Sequence, residues 1–220
     1  VELARAVELA RAAGFARAAL VDPRLLAPWS VTPRAAPGDL EWRWAADPET
    51  WSHTSSILVC CLSCSRQEPD DPSMPGDPCA LVAPFARAHY YRAAIDMLRG
   101  VTDQLGRESG IPRSAVRLFS NSRLPEKPLL VATGLASYGK NGCAIVPGLG
   151  SLFIIAGAIL PVPAVIRDDT PPAVPADPCG SCRRCRAACP AGALGEPYVV
   201  RRDLCLQGMA GVAGHLSADA

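Results

Sequence analysis

The sequence predicts an α+β fold followed by a small cysteine-rich unit, and three observations carry that reading. Stretches with helical apolar spacing intermix with short apolar runs without a βαβ rhythm, which points away from a doubly wound sheet. A proline-rich stretch, DDTPPAVPADP at 168–178, divides the chain into 1–167 and 168–220. Directly after it, PCGSCRRCRAACPAGAL sets Cys179, Cys182, Cys185 and Cys189 at C-x-x-C-x-x-C-x-x-x-C-P spacing.

The elements follow in order. From Glu2 to Ala13, Leu3, Val7 and Ala10, with Ala6, Leu9 and Ala13, fall at helical steps, and Gly14 stands where a left-handed cap belongs. Phe15 to Val21 is a first strand, and prolines through Pro37 then disfavour regular structure. Ile57 to Cys64 (ILVCCLSC) reads as a buried strand, with Cys60, Cys61 and Cys64 as core residues, because a free cysteine packs as a small hydrophobe. Pro69 to Pro84 is a turn-rich loop holding Cys79. From Phe85 to Glu108, Tyr91, Ile95, Leu98, Thr102 and Leu105 mark the buried stripe of a long amphipathic helix, leaving Arg87, Arg92, Arg99 and Arg107 on its solvated face. Ala115 to Ser120 is a strand, Pro128 to Ala136 a short helix, and Cys143 to Val146 and Leu152 to Leu160 are strands.

Composition excludes several classes of function. A net charge of +1 over 220 residues is not that of a polybasic nucleic-acid binder, and aromatic residues at 5% are too few for a stacking platform. The longest apolar run, Leu152 to Leu160, is far short of the roughly 20 residues that span a bilayer, so no membrane association is expected. The opening VELARAVELARAAGF interleaves charges with apolar residues and does not resemble a signal peptide, so a cytoplasmic setting is expected. No Walker A or G-x-G-x-x-G pattern supports a nucleotide site.

The cysteine spacing is the most specific signal. Thiolates at intervals of three let a short loop wrap three corners of an iron–sulfur cubane, while a fourth cysteine before proline commonly serves a second cluster. Structural zinc also uses paired cysteines, but with a longer spacer between the pairs. A disulfide scaffold would normally be a much shorter chain.

Two further segments extend the match. Gly134 to Leu160 (GLASYGKNGCAIVPGLGSLFIIAGAIL) resembles the G-L-G-x-x-G-K-(H/N) region and following apolar strand of the epoxyqueuosine reductases, and Cys189 to Cys205 is similar to that family's C-P-T-G-A-(I/L)…(D/E)-x-x-x-C passage. Weaker similarity covers Gly38 to Trp42, Ile57 to Leu62, and Tyr90 with Tyr91. The resemblance implies a nitroreductase-like, cobalamin-binding domain at 1–167 and a ferredoxin-like 4Fe-4S domain at 168–220. It also implies electron flow from an external donor through the clusters to cobalamin, with the epoxide of a modified nucleoside in tRNA as substrate. A related corrinoid reductase acting on a small substrate, as reductive dehalogenases do, is a further reading that the resemblance leaves open.

Carried over residue by residue, Cys179, Cys182 and Cys185 would hold one 4Fe-4S cluster, with Cys189 and Cys205 contributing to a second. Lys140, Asn141, Ala144, Ser151 and Ile155 would line the cobalamin site. The family supplies three further ligands from a later C-x-x-C-x-x-x-C-P motif, and no cysteine follows Cys205. The expectation is therefore a C-terminally truncated or divergent member, one surviving cluster, or recruitment of Cys60, Cys61, Cys64, Cys79 or Cys143. Where the family has Asp-Ser-Ala-Pro with a proton-donor aspartate, the chain reads Ser-Asn-Ser-Arg-Leu-Pro, and Asn121 is nearest. An amide cannot act as a general acid, so Asp103 and Glu126 are candidate substitutes. A cluster-bearing electron carrier without catalysis is the alternative of a different class, and His89 and His215 are read as structural.

Overall fold

The computed structural model describes residues 3–23, 56–64, 70–80, 82–122, 124–162 and 177–207. A four-stranded antiparallel sheet has the order β1 (Arg17–Val21), β2 (Ser56–Ser63), β6 (Phe153–Leu160), β3 (Arg117–Ser120). A small second sheet pairs β4 (Ser137–Tyr138) with β5 (Ala144–Ile145). The helices are α1 (Leu3–Ala12), α2 (Tyr90–Ser109), α3 (Glu126–Ala132) and α4 (Arg184–Ala187).

Helices cover one face of the main sheet and a mixed layer covers the other. Ala6, Leu9 and Ala10 of α1 and Ala94, Leu98, Val101 and Leu105 of α2 pack with Leu58, Cys60, Ala156, Ala158 and Leu160. On the opposite face Leu129 and Leu130 of α3, with Ala144 and Val146, pack with Ile57, Val59, Cys61 and Phe119. Both central strands are thus buried on both faces, which explains why their sequences are continuous apolar runs without alternation. Each fully buried Leu or Phe contributes about 1.5–3 kcal/mol of transfer free energy.

Gly157 sets how closely the second face packs. It lies opposite Phe119 in the β3–β6 pairing, and a Cβ there would stand 2.3 Å from the Leu58 carbonyl oxygen and 2.4 Å from Phe119 Cζ. The ring occupies the space that any other residue would fill.

Most expected elements are present, with shifted limits. The first helix ends at Ala12, and Gly14 follows in the turn with φ +108°, where its sequence places a left-handed glycine. The long helix begins at Tyr90, since Pro84–Ala86 forms a separate 3-10 turn. Its buried stripe starts at Ala94, so Tyr91, expected on that stripe, is 41% exposed in the overhanging first turn. Arg92 and Arg99 sit on the solvated face as expected and flank Asp96 in ion pairs.

The helix expected from Pro128 instead spans Glu126–Ala132, placing Pro128 in the first turn, where a missing N–H costs nothing. Thr133 ends it: its hydroxyl donates to the Leu130 carbonyl at 2.6 Å and accepts the Leu135 N–H at 3.2 Å. The chain then turns into β4, a strand the sequence did not reveal.

No helix among the described residues is long and apolar enough to cross a membrane. The Leu152 to Leu160 run forms β6. Most of the 168–178 boundary, the Gly38 to Trp42 similarity and His215 lie outside the described residues.

Candidate functional site

The cysteine segment folds as a sequence of turns. Asp177 Oδ1 accepts the Cys179 N–H at 2.8 Å, an Asx turn placed directly before the first motif cysteine. The Cys182 N–H then bonds the Cys179 carbonyl at 2.8 Å, closing a tight loop through Gly180. Arg186 of α4 donates from Nε to the Leu194 carbonyl at 3.1 Å and from its guanidinium to Gly195, which ties the motif to the turns after it.

Cys182 is exposed, and Cys179, Cys185, Cys189 and Cys205 are half-buried free thiols. Across 177–207 only Ala193 is buried. Among the described residues no three His, Cys, Asp or Glu side chains converge on a point that could hold a single metal ion. A tetrahedral zinc at bond lengths of about 2.3 Å would draw its sulfurs to roughly 3.8 Å of one another, whereas a cubane spreads its thiolates over separate irons.

The turn between β4 and β5 receives this loop. The Lys140 N–H donates to Cys179 Sγ at 3.4 Å, and the Lys140 carbonyl accepts the Tyr198 N–H at 2.9 Å. Lys140 Nζ donates to the carbonyls of Gly180 and, at 3.3 Å, Cys182. The Cys179 N–H foremost, with Tyr198 and the Lys140 charge pulling the same way, holds the Asp177 carboxyl below its ordinary range. Lys140, expected to line the cobalamin site, has its ammonium engaged by the cysteine loop.

Asn141 spends its Oδ1 on the Cys143 N–H at 3.1 Å, shaping the turn. Gly142 carries φ +74°, and its carbonyl accepts Lys127 Nζ at 3.2 Å, so the start of α3 is fastened to the same turn.

The remaining candidates gather where β2 and β3 stop and β6 begins. Asn121 follows β3 with φ +50°, and Ser120 Oγ donates to the Ile155 carbonyl at 2.8 Å. Ile155 and Ala144 belong to the α3-side core, Ala144 fully buried and Ile155 half-buried, while Ser151 is exposed in the turn leading into β6. Glu126, the first residue of α3, accepts the Ser122 N–H at 2.7 Å. Burial holds its carboxyl above the ordinary range, the Ser122 bonds pulling the other way.

Of the two substitute carboxylates, only Glu126 belongs here. Asp103 is on α2, which covers the opposite face of the sheet, and pairs with Arg113 at 3.7 Å. His89 precedes α2 and is exposed.

The distant cysteines divide. Cys60 and Cys61 are completely buried in the two core layers and Cys64 is 2% exposed. Burial pushes their thiols up, that of Cys61 to about 12, which opposes the thiolate form a metal needs. Cys79 is exposed in the 70–80 loop, and Cys143 is exposed in the Lys140 turn. Sequence reasoning missed Asp177, Tyr198 and Lys127. Asp immediately before the motif was a readable turn signal, whereas nothing local marks the other two.

No family model matches the chain. Epoxyqueuosine reductase of Burkholderia pseudomallei is 31% identical over 133 residues, 58% of this chain and 32% of that protein. The enzyme of the same name from Gloeobacter violaceus is 38% identical over 92 residues, 42% of this chain and 27% of that one. The chain is similar to the epoxyqueuosine reductases over these stretches. The match to the Burkholderia protein spans about a third of that relative's length.

The fold agrees. A selenomethionine-labelled epoxyqueuosine reductase superposes with TM-score 0.73 at 21% identity, covering 98% of this chain and 59% of that one. An epoxyqueuosine reductase solved with an epoxyqueuosine-modified tRNA-Tyr stem loop gives 0.71 at 19% identity, again over 98% of this chain and 59% of the other. A catabolic reductive dehalogenase gives 0.51 at 15%, covering 90% of this chain and 23% of that one. The α+β fold is therefore shared with both kinds of reductase.

Proposed function

We propose that this chain is the reductase core of an epoxyqueuosine reductase-type enzyme, with a nitroreductase-like domain at 1–167 and a ferredoxin-like iron–sulfur unit at 168–220. The observation that carries the reading is the docking of the Cys179 loop onto the Lys140–Asn141 turn, the two segments whose motifs resemble the family.

The donor set fits an iron–sulfur group: free cysteines at the solvent boundary, on a loop whose first sulfur accepts a backbone N–H. Cys179, Cys182 and Cys185 would hold one 4Fe-4S cluster, with Cys189 and Cys205 available to a second. The buried β2 cysteines are poor candidates for the missing ligands. Cobalamin would be held by Asn141, Ser151 and Ile155, which keep exposed surface, whereas Ala144 is buried in the α3-side core. When bound, the clusters supply single electrons and the cobalt centre supplies a strong reductant for the substrate's carbon–oxygen bond.

The chain's own residues position and protonate. The Asn121 amide can hydrogen-bond a substrate oxygen but cannot release a proton to it. Glu126, held by Ser122 five positions further from β3 in sequence, keeps its proton more tightly than an exposed glutamate and is the proton source at this end of the sheet. The tRNA substrate is an epoxyqueuosine-modified stem loop like the one bound to the structural relative, and an external electron donor feeds the cluster.

Asn121 favours a second reading, a cluster-bearing electron carrier without epoxide chemistry. Anaerobic reconstitution with iron, sulfide and hydroxocobalamin separates the two. Stoichiometric cobalt together with iron–sulfur EPR signals is expected; cluster signals with no retained cobalt leave the carrier, and neither overturns both.

A further inference from the structure

We propose that Lys140 is a positioning residue that sets the reduction potential of the cluster on the Cys179 loop, acting as a cationic strap between the β4–β5 turn and that loop. The inference rests on the iron–sulfur reading above and adds a role that no motif assigns to this lysine.

Every hydrogen-bonding part of the residue is turned to the cysteine segment. Its N–H donates to Cys179 Sγ at 3.4 Å, its carbonyl accepts the Tyr198 N–H at 2.9 Å, and its ammonium donates to the Gly180 and Cys182 carbonyls. Asp177 adds a second hold by accepting the Cys179 N–H at 2.8 Å. Lys140 on one side and Asp177 on the other, about 40 positions apart in sequence, thus bracket the first motif cysteine. A solvated lysine would keep its ammonium in water, since each immobilised side chain of this kind costs up to about 2 kcal/mol of rotamer entropy.

The bracket has a redox consequence. A cluster gains negative charge when reduced, so a nearby ammonium and an N–H aimed at a ligand sulfur both favour the reduced form, and hydrogen bonds to sulfur are a recognised determinant of potential. The surroundings are mixed in charge. Arg183 and Arg184 are exposed beside the loop, and Asp177 brings one opposing carboxylate. Arg186 is fixed to the Leu194 and Gly195 carbonyls beyond the motif, whereas the Lys140 charge is fixed to the Gly180 and Cys182 carbonyls within it.

The test is an EPR-monitored redox titration of reconstituted wild type, Lys140→Met and Lys140→Arg. Lys140→Met is expected to bind the same iron while its midpoint falls by about 59 mV, a tenfold change in a one-electron equilibrium. Lys140→Arg is expected to recover most of that shift. An unchanged midpoint in Lys140→Met at full iron content overturns the proposal.

Loss of iron from Lys140→Met with retention in Lys140→Arg still supports a charge-dependent strap, whereas loss from both overturns the tuning role. In iron-free protein, Lys140→Met should also speed hydrogen exchange at the Tyr198 and Cys179 amides; unchanged exchange overturns the strap. Wild type that takes up no iron overturns the cluster reading instead, and the exchange measurement still decides whether the strap exists.

Discussion

Two groups of cysteines in this chain are held by opposite physics. Cys60 and Cys61 in β2 are locked by apolar burial between helices and sheet, with their thiols pushed far up the scale. Cys179, Cys182, Cys185, Cys189 and Cys205 lie in a segment with a single buried residue, Ala193, shaped by hydrogen bonds from Asp177, Lys140 and Arg186. The same residue type is a space-filler where water is excluded and a ligand candidate where backbone donors and solvent surround it. Burial decides between the roles.

The sharpest way to break that contrast is to exchange the fates of the two groups. Cys182→Ala should abolish most iron incorporation on reconstitution, while Cys60→Ala should leave it unchanged and cost about 1 kcal/mol of stability for the lost buried group. Iron loss in Cys60→Ala would show that β2 reaches the cluster after all.

Next in size is packing in the apolar region. Gly157→Ala forces a Cβ into the Leu58 carbonyl and the Phe119 ring, and overpacking of this kind costs about 1–3 kcal/mol. Chemical denaturation should show that loss without any change in the reactivity of the 179–205 thiols. A parallel change in both would mean that the two regions are one cooperative unit.

The effect that is smallest near neutral pH is a pH dependence. Cys61 has an ordinary value of 9.0 and is pushed to about 12 in the fold, so the unfolded chain releases this proton first as pH rises. Its contribution is fully present below the unfolded value and is lost progressively up to about 12. Stability measured from pH 8 upward should therefore decline, and Cys61→Ala should flatten that decline.

How much of this was legible in the sequence depended on length and locality. The strands β2 and β6 and the helix α2 announce themselves because each carries a long apolar signature and buries it. The cysteine motif is equally local. Strand β4 has two residues, too few to show a period, and so the turn presenting Lys140 looked like a loop. The role of Lys140 was out of reach for a different reason, since its partners lie 39 to 58 positions away and only the docking of two segments brings them together. Tyr91 misled because a helical repeat does not state where a helix meets its sheet.

Cys60 and Cys61 are neighbours in sequence, yet the pleat sends one into the α1–α2 layer and the other into the α3 layer. Their reactivities toward a small thiol reagent are consequently two separate clocks. One runs only when the helical cover lifts and the other only when the opposite cover does, so two adjacent atoms of sulfur record whether this sheet is uncovered from one side at a time or from both at once.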